Sequence, residues 1–351
     1  MTQAATEAGF ELSGVARVQE QDFPELNAFV EWIEAGHAGE MHYLERRTES
    51  GELKRASAKN AAPWVRSVIV CGLNYNTGQP YSTRVSDPSR GWISRYAWGS
   101  KDYHHALHER LQKVEAAIRD LSLRHDLPVQ TLSYVDTGPL VERVYARYAG
   151  LGWMGKNTCL IHQKLGSFFF LGVILTSLEL PAALPAADRC GSCTRCIDAC
   201  PTQAILAPGK LDARRCIAYL TIEKRGEIPA EFRDAVGHHV FGCDICQDVC
   251  PWNNKPGNAM PTSAPEFQAQ PQMFHPDLQW LANLDEETFR LKFRDSPVKR
   301  AKYAGLRRNV AVAMGNSGNK DFLPDLEKMS TDPDSVVAEH AQWALDKLRS
   351  S

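Results

Sequence analysis

Eight of the ten cysteines fall between Cys190 and Cys250, and their spacing is the strongest chemical signal in the chain. The first run is Cys190-x2-Cys193-x2-Cys196-x3-Cys200-Pro201. The second is Cys243-x2-Cys246-x3-Cys250-Pro251, and Cys216 lies between the two. A [4Fe–4S] cubane takes four thiolates, so eight ligands serve two. Three cysteines in a tight turn hold three corners of one cubane. The fourth of such a run points away, and in two-cluster ferredoxins it ligates the other cluster. Applied here, that crossing gives Cys190, Cys193, Cys196 and Cys250 to one cluster, and Cys200, Cys216, Cys243 and Cys246 to the other. The proline after each run stops further helix and turns the chain away. The competing chemistry is a pair of structural zinc sites, which has no need of the x3-Cys-Pro arm on each side. Cys71, in an apolar strand, and Cys159, in an Asn-Thr-Cys-Leu segment, read as buried small hydrophobes.

Forty basic and 42 acidic side chains leave a net charge of −2, which excludes a globally basic nucleic-acid binder but not a local basic patch. With 43% hydrophobic and 23% charged residues the chain is globular, neither disordered nor fibrous. Its longest apolar run, residues 168–175, falls far short of the ~20 residues that span a bilayer. Residues 1–9 carry no basic segment leading into an apolar one and no arginine pair, so the expected location is the cytoplasm and no membrane is involved. In that compartment clustered cysteines point to metal rather than to disulfides.

The elements that must position this chemistry are α/β in the first half. Residues 67–73 and 128–135 read as strands, and Leu107, Leu111, Val114, Ile118 and Leu121 recur at helical spacing between them. Residues 168–180 have strand composition, with a bend expected at Gly172. Prolines at 181 and 185 mark a boundary, and residues 253–272, with four prolines, read as a wrapping linker. From Asp285 the chain reads as stacked short helices. The expected organisation is therefore an α/β domain over residues 1–182, a ferredoxin-like two-cluster α+β domain over 183–272, and a helical region over 273–351. Two cubanes carry single electrons and do not act on a substrate, so the first domain is expected to hold a further cofactor. There is no G-x-G-x-x-G after a strand, no phosphate-binding G-x-x-x-x-G-K-[ST], and no D-x-H-x-x-G, for which Asp102-Tyr103-His104 fails at Leu107.

Several stretches resemble the epoxyqueuosine reductases over essentially the whole length. They are Arg95-Tyr96-Ala97 with Lys101-Asp102-Tyr103-His104; residues 136–143, Asp-Thr-Gly-Pro-Leu-Val-Glu-Arg; residues 149–158, Ala-Gly-Leu-Gly-Trp-Met-Gly-Lys-Asn-Thr; and residues 166–172, followed by the cysteine runs and Cys250-Pro251-Trp252-Asn253. Thr137-Gly138 stands where Ser-Ala is common, and Lys101 where an arginine is common. The resemblance implies a base-off cobalamin in the α/β domain beside two [4Fe–4S] clusters, and a HEAT-like helical C-terminus. It implies reduction of the epoxide of epoxyqueuosine at the wobble base of tRNA, the last step of queuosine formation. The partners it implies are tRNAs with a GUN-type anticodon (Asp, Asn, His, Tyr) and a one-electron donor such as flavodoxin or ferredoxin, with the enzyme acting as a monomer. A cobalamin-dependent reductive dehalogenase and a plain electron-transfer ferredoxin are the rival readings.

Asp136 is the implied catalytic residue. A carboxylic acid beside an apolar corrin is expected to have a raised pKa and to protonate the alkoxide of the opening epoxide; the structural alternative is a turn residue at a strand end. Gly152 and Gly155 allow close backbone approach to a planar cofactor, or simply form a tight loop. Lys156 and Asn157 are placed to donate to corrin amides or a phosphate. Arg55, Tyr103, His104, Arg143, Ser167 and Phe168 are assigned to the cofactor cavity, although capping, surface or core roles would explain them too. The tRNA is expected on residues 290–308, which hold eight cations and one acid; Lys299, Arg300, Lys302, Arg307 and Arg308 are the candidate contacts.

Overall fold

The structure, a computed structural model, describes residues 2–19 and 23–350, so Met1 of the N-terminal stretch lies outside the described residues. A four-stranded sheet organises the first half: β1 (Leu12–Arg17), β2 (Ser67–Asn74), β3 (Thr131–Tyr134) and β4 (Phe169–Thr176), in the order β1-β2-β4-β3. Every pairing is antiparallel, so the α/β layers are not built from parallel crossover units. All eight residues of β2 are buried because both faces of the sheet are covered. Ile69, Cys71 and Leu73 meet Leu107, Leu111, Val114 and Ile118 of α1 (Tyr103–Arg124) on one face. Val68 and Val70 meet Val144 and Tyr145 of α2 (Glu142–Tyr148) on the other. Fully burying an aliphatic side chain of this kind contributes roughly 1.5–3 kcal/mol.

Two local expectations differ from what is found. Leu121 is 42% exposed; Ser122, four residues after Ile118, takes the inward position and donates to the Leu127 carbonyl. No bend occurs at Gly172, which pairs with Cys71 inside a continuous strand. A Cβ there would lie 3.0 Å from Leu111 Cδ1, so the glycine lets α1 sit down on the sheet.

Each cysteine run ends in a single turn of helix, α3 (Arg195–Asp198) and α5 (Ile245–Asp248), with α4 (Ile217–Ile222) starting directly after Cys216. Residues 259–270 then run back over the sheet. Thr262 N donates to Asn76 O (2.8 Å), Asn74 Nδ2 to Met260 O (2.9 Å), and Phe267 packs on Phe170 with ring centres 5.0 Å apart.

The C-terminal helices α6 (Tyr303–Asn316), α7 (Leu323–Met329) and α8 (Ser335–Ser350) bury Val310, Met314, Leu326, Val337, Ala341, Ala344 and Leu348 in one core. Residues 92–98 of the first half enter the same core through Trp92, Ile93, Ala97 and Trp98. Among the described residues no helix is long and apolar enough to cross a membrane.

Candidate active site

Asp136 follows β3 with a left-handed backbone (φ +58), a conformation that aspartate tolerates better than most residues. The turn behind it is tight, since a Cβ on Gly138 would sit 2.4 Å from Tyr134 Cγ. The Asp136 backbone N–H donates to Glu142 Oε1 at 2.7 Å, tying the turn to the first residue of α2. The carboxylate projects toward the start of α1. Tyr103 Oη donates to Asp136 Oδ2 at 2.9 Å, and His104 Nε2 lies 3.7 Å from the same oxygen. His104 Nδ1 is 2.7 Å from Asp102 Oδ1, and Asp102 also caps α1 by accepting from the His104 backbone N–H and pairs with Lys299 Nζ at 2.9 Å. The Tyr103 ring is stacked on Phe170 (4.5 Å, 4°), which fixes its direction.

This arrangement spreads the protons. Burial works against charge on His104, but bonding to Asp102 and Asp136 raises it to about 9. Burial alone would raise Asp136, yet His104, Tyr103 and the nearby Arg55 cation hold its carboxyl below the usual range. The raised carboxyl expected at Asp136 belongs instead to Glu142, which burial and the Asp136 charge push up to about 8. The sequence argument counted desolvation and had no means of seeing the donors that face Asp136.

These groups stand on the wall of a cavity of about 1750 Å³. Arg55, Tyr103, His104, Asp136, Arg143, Gly155 and Lys156 line it, as do Lys299, Arg300 and Lys302. Four other residues assigned to it lie elsewhere. Gly152 has no Cβ because Ile161 O would be 2.3 Å from it, in the pairing of Trp153–Met154 with Leu160–Ile161. Phe168 is fully buried in the sheet core. Ser167 donates to Gln247 Oε1 (2.9 Å) and Asn157 donates to Cys246 O (3.2 Å), so both fasten the second cysteine run to the first domain.

The basic stretch also divides. Arg308 is 1% exposed and donates to the carbonyls of Leu220, Lys224 and Gly226, which makes it an internal brace and not a phosphate contact. Arg307 is mostly buried in an ion pair with Asp332 (2.9 Å). Arg300 pairs with Glu223 (2.5 Å) at the cavity. Tyr43 and Glu223 belong to the cavity wall and were not singled out from sequence, while Tyr96 and Glu142, also on it, were quoted only within the resembling stretches and given no role. Glu142 lay in the quoted 136–143 stretch, where its position six residues after an aspartate across a Gly-Pro turn was the available signal.

A second cavity, of about 480 Å³, is lined by Cys190, Cys193, Cys196 and Cys250 together. Trp153 packs against Cys250 and Cys190, and its buried indole N–H meets no acceptor among the described residues. Four thiols converging on one cavity are the donor set that a [4Fe–4S] cubane takes. Burial and the neighbouring Cys216 push the Cys243 thiol well above its ordinary value, and Cys200 adds to this. Cys159 is only partly exposed, and the nearby Cys246 thiol lowers its proton affinity while that of Cys246 is raised.

Residues 55–137, which begin at Arg55 and end just past Asp136, match the family described as epoxyqueuosine reductase QueG, DUF1730. Residues 189–253 match a 4Fe-4S double cluster binding domain. An epoxyqueuosine reductase of Xanthomonas campestris is 40% identical over 346 residues, covering 97% of this chain and 93% of its own. The chain belongs to the epoxyqueuosine reductase family. It is accordingly an oxidoreductase with an iron–sulfur domain. The epoxyqueuosine reductase of Synechocystis is 43% identical over 300 residues, 85% of this chain and 98% of its own. The fold superposes on a crystal structure of epoxyqueuosine reductase with an epoxyqueuosine-modified tRNA-Tyr stem loop at a TM-score of 0.87 and 31% identity, covering 99% of this chain and 88% of that one. The Streptococcus thermophilus enzyme gives 0.85 at 27% identity, with 100% and 90% covered.

Proposed function

We propose that this chain reduces the epoxide of epoxyqueuosine at the wobble base of GUN-anticodon tRNAs to the cyclopentene of queuosine, in the cytoplasm and as a monomer. The observation that carries this reading is the Asp136 carboxylate held between Tyr103 and His104 on the wall of the large cavity, in a chain of this family.

Base-off cobalamin suits that cavity. Its volume exceeds the roughly 300–1,000 Å³ that serve drug-sized ligands. Met41, Leu44, Leu140, Val141 and Met154 offer an apolar wall to a corrin face, and Arg55, Arg143 and Lys156 offer donors to its amides and phosphate. When bound, the cobalt would supply a centre that takes electrons from two [4Fe–4S] clusters and passes them to the epoxide carbon. The crossed ligation is supported by the four thiols gathered at the smaller cavity, which come from both runs. Flavodoxin or ferredoxin would be the electron source.

The protein's own part is proton management. Asp136, ionised in the resting protein, relays a proton from protonated His104 to the oxygen as the ring opens, and His104 is then reprotonated from solvent. Tyr103 and the Glu142 bond to the Asp136 backbone keep the carboxylate aimed into the cavity. The anticodon loop, splayed as single-stranded RNA recognition requires, would cross the rim formed by Arg46, Lys54, Lys302 and the paired Lys299 and Arg300. The HEAT-like C-terminal helices carry the last three of these on the loop before α6.

Nucleoside analysis of tRNA from a strain lacking this protein tests the function. Epoxyqueuosine should accumulate, wild-type protein should restore queuosine, and Asp136→Asn should not. Unchanged queuosine in the deletion strain would refute the reading.

A further inference from the structure

The smaller cavity shares Lys156 with the large one, and its rim is strongly cationic. Lys156, Arg189, Arg195 and Lys255 line it beside the four thiols, and Arg84 reaches the rim through a hydrogen bond to Asn254. These five cations outnumber the neighbouring acids Asp188, which accepts from the Cys190 backbone N–H (2.7 Å), and Asp198, which accepts from the Thr194 hydroxyl (2.8 Å). In a chain whose net charge is −2, this is a concentrated local excess of positive charge. It surrounds a half-buried tryptophan, Trp252, over which Lys255 Nζ lies 5.6 Å from the ring centre.

The position of the rim matters as much as its charge. Asn157 lines the smaller cavity while its side chain bonds the carbonyl of Cys246, which ties that cavity's wall to the second cysteine run. Thr158, on the same turn, lines the large cavity, and Arg143 of that cavity donates to its carbonyl (2.6 Å). The turn over residues 157–158 therefore joins the smaller cavity, the second cysteine run and the large cavity.

We infer that this rim is the docking surface of an acidic one-electron carrier protein, and that its electron arrives at the cluster of Cys190, Cys193, Cys196 and Cys250. The inference rests on the reductase reading above. A flavin hydroquinone loses one electron to become the semiquinone, and one cluster gains it. Complementary charge of this kind speeds diffusional encounter by 10–10³-fold and is screened by salt.

The test uses anaerobically reconstituted holoprotein and stopped-flow reduction of the cluster absorption by a strongly acidic flavodoxin in its hydroquinone state. In the triple variant Arg189→Glu, Arg195→Glu, Lys255→Glu the second-order rate constant at low ionic strength should fall at least about tenfold, with a flattened salt dependence. Reduction by photoreduced deazariboflavin, small and without a docking requirement, should stay within about twofold of wild type. An unchanged flavodoxin rate in the variant would overturn the inference. So would a loss of tRNA affinity with an unchanged flavodoxin rate, which would make the rim an RNA surface. Should the triple variant load less iron and sulfide than wild type, Arg84→Glu with Lys255→Glu, both outside the cysteine runs, is judged by the same criterion. Wild-type protein that takes up no iron or sulfide would instead fail the reductase reading itself.

Discussion

The two cavities meet at the turn over residues 155–158 and handle charge in opposite ways. Around the larger one the acids at its centre face donors or cations already in the protein. Asp102 holds His104 and Lys299, Asp136 holds Tyr103 with His104 nearby, and Glu223 holds Arg300. Proton affinities there are separated before any ligand arrives, with Asp136 lowered while Glu142 and His104 are raised to about 8 and 9. Around the smaller one, thiols from two distant runs lie together, and burial pushes Cys250 up to about 11. Metal binding must expel those protons, so that site is completed by what it binds. The first site is preorganised by the protein alone, and the second waits for its cofactor.

The largest expected effect breaks the second site. Cys250→Ala should lose about half of the iron and sulfide and all tRNA epoxide reduction, while Asp136 and its partners remain in place. Retention of a full complement of iron would show that Cys250 is not a ligand. Next, Asp136→Asn should load iron and cobalamin normally and slow single-turnover reduction by ~10²–10⁴-fold, the range of general acid catalysis; a rate within a few-fold of wild type would place the proton elsewhere.

The separation of proton affinities is tested by pH. Glu142 rises from 4.5 to about 8, and its contribution to stability is present below the first value and lost as pH rises through the second. His104 rises from 6.5 to about 9, so its contribution is present below 6.5 and lost through 9. Both therefore weaken the fold and the proton supply on the alkaline side. Turnover and Tm of the wild type should fall between pH 7 and 9.5, and Glu142→Gln should flatten the lower part of that fall. A Tm that climbs over this interval would contradict the arrangement.

The smallest effects compare two basic residues six positions apart. Arg308→Met removes the donor to three backbone carbonyls, of which only that of Leu220 is fully buried, and should lower stability by roughly 1–3 kcal/mol, with the salt slope of tRNA binding unchanged. Lys302→Glu at the cavity rim should leave Tm within a degree or two, weaken tRNA binding, and reduce the salt slope by about 1. The reverse pattern in calorimetry and salt titration would return the RNA to α6.

Sequence spacing determined what is local. Cysteines two or three residues apart can share one tight turn whatever surrounds them, so the cluster chemistry was legible, and so were the buried strand at 67–74 and the helix at 103–124 that hold the frame. The 136–143 stretch likewise marked Asp136. Tertiary structure decided the rest. The charges on residues 299–308 look alike in sequence, but one turn of helix rotates a side chain from cavity to core, and only packing against α4 shows that Arg308 faces inward. The proton affinity of Asp136 was misjudged because burial is a property of composition and cavity shape, whereas the donors that outweigh it arrive from a helix 33 residues away in the chain. Such through-space contacts leave no periodicity to read, since the residues that make them share neither a strand nor a helix face.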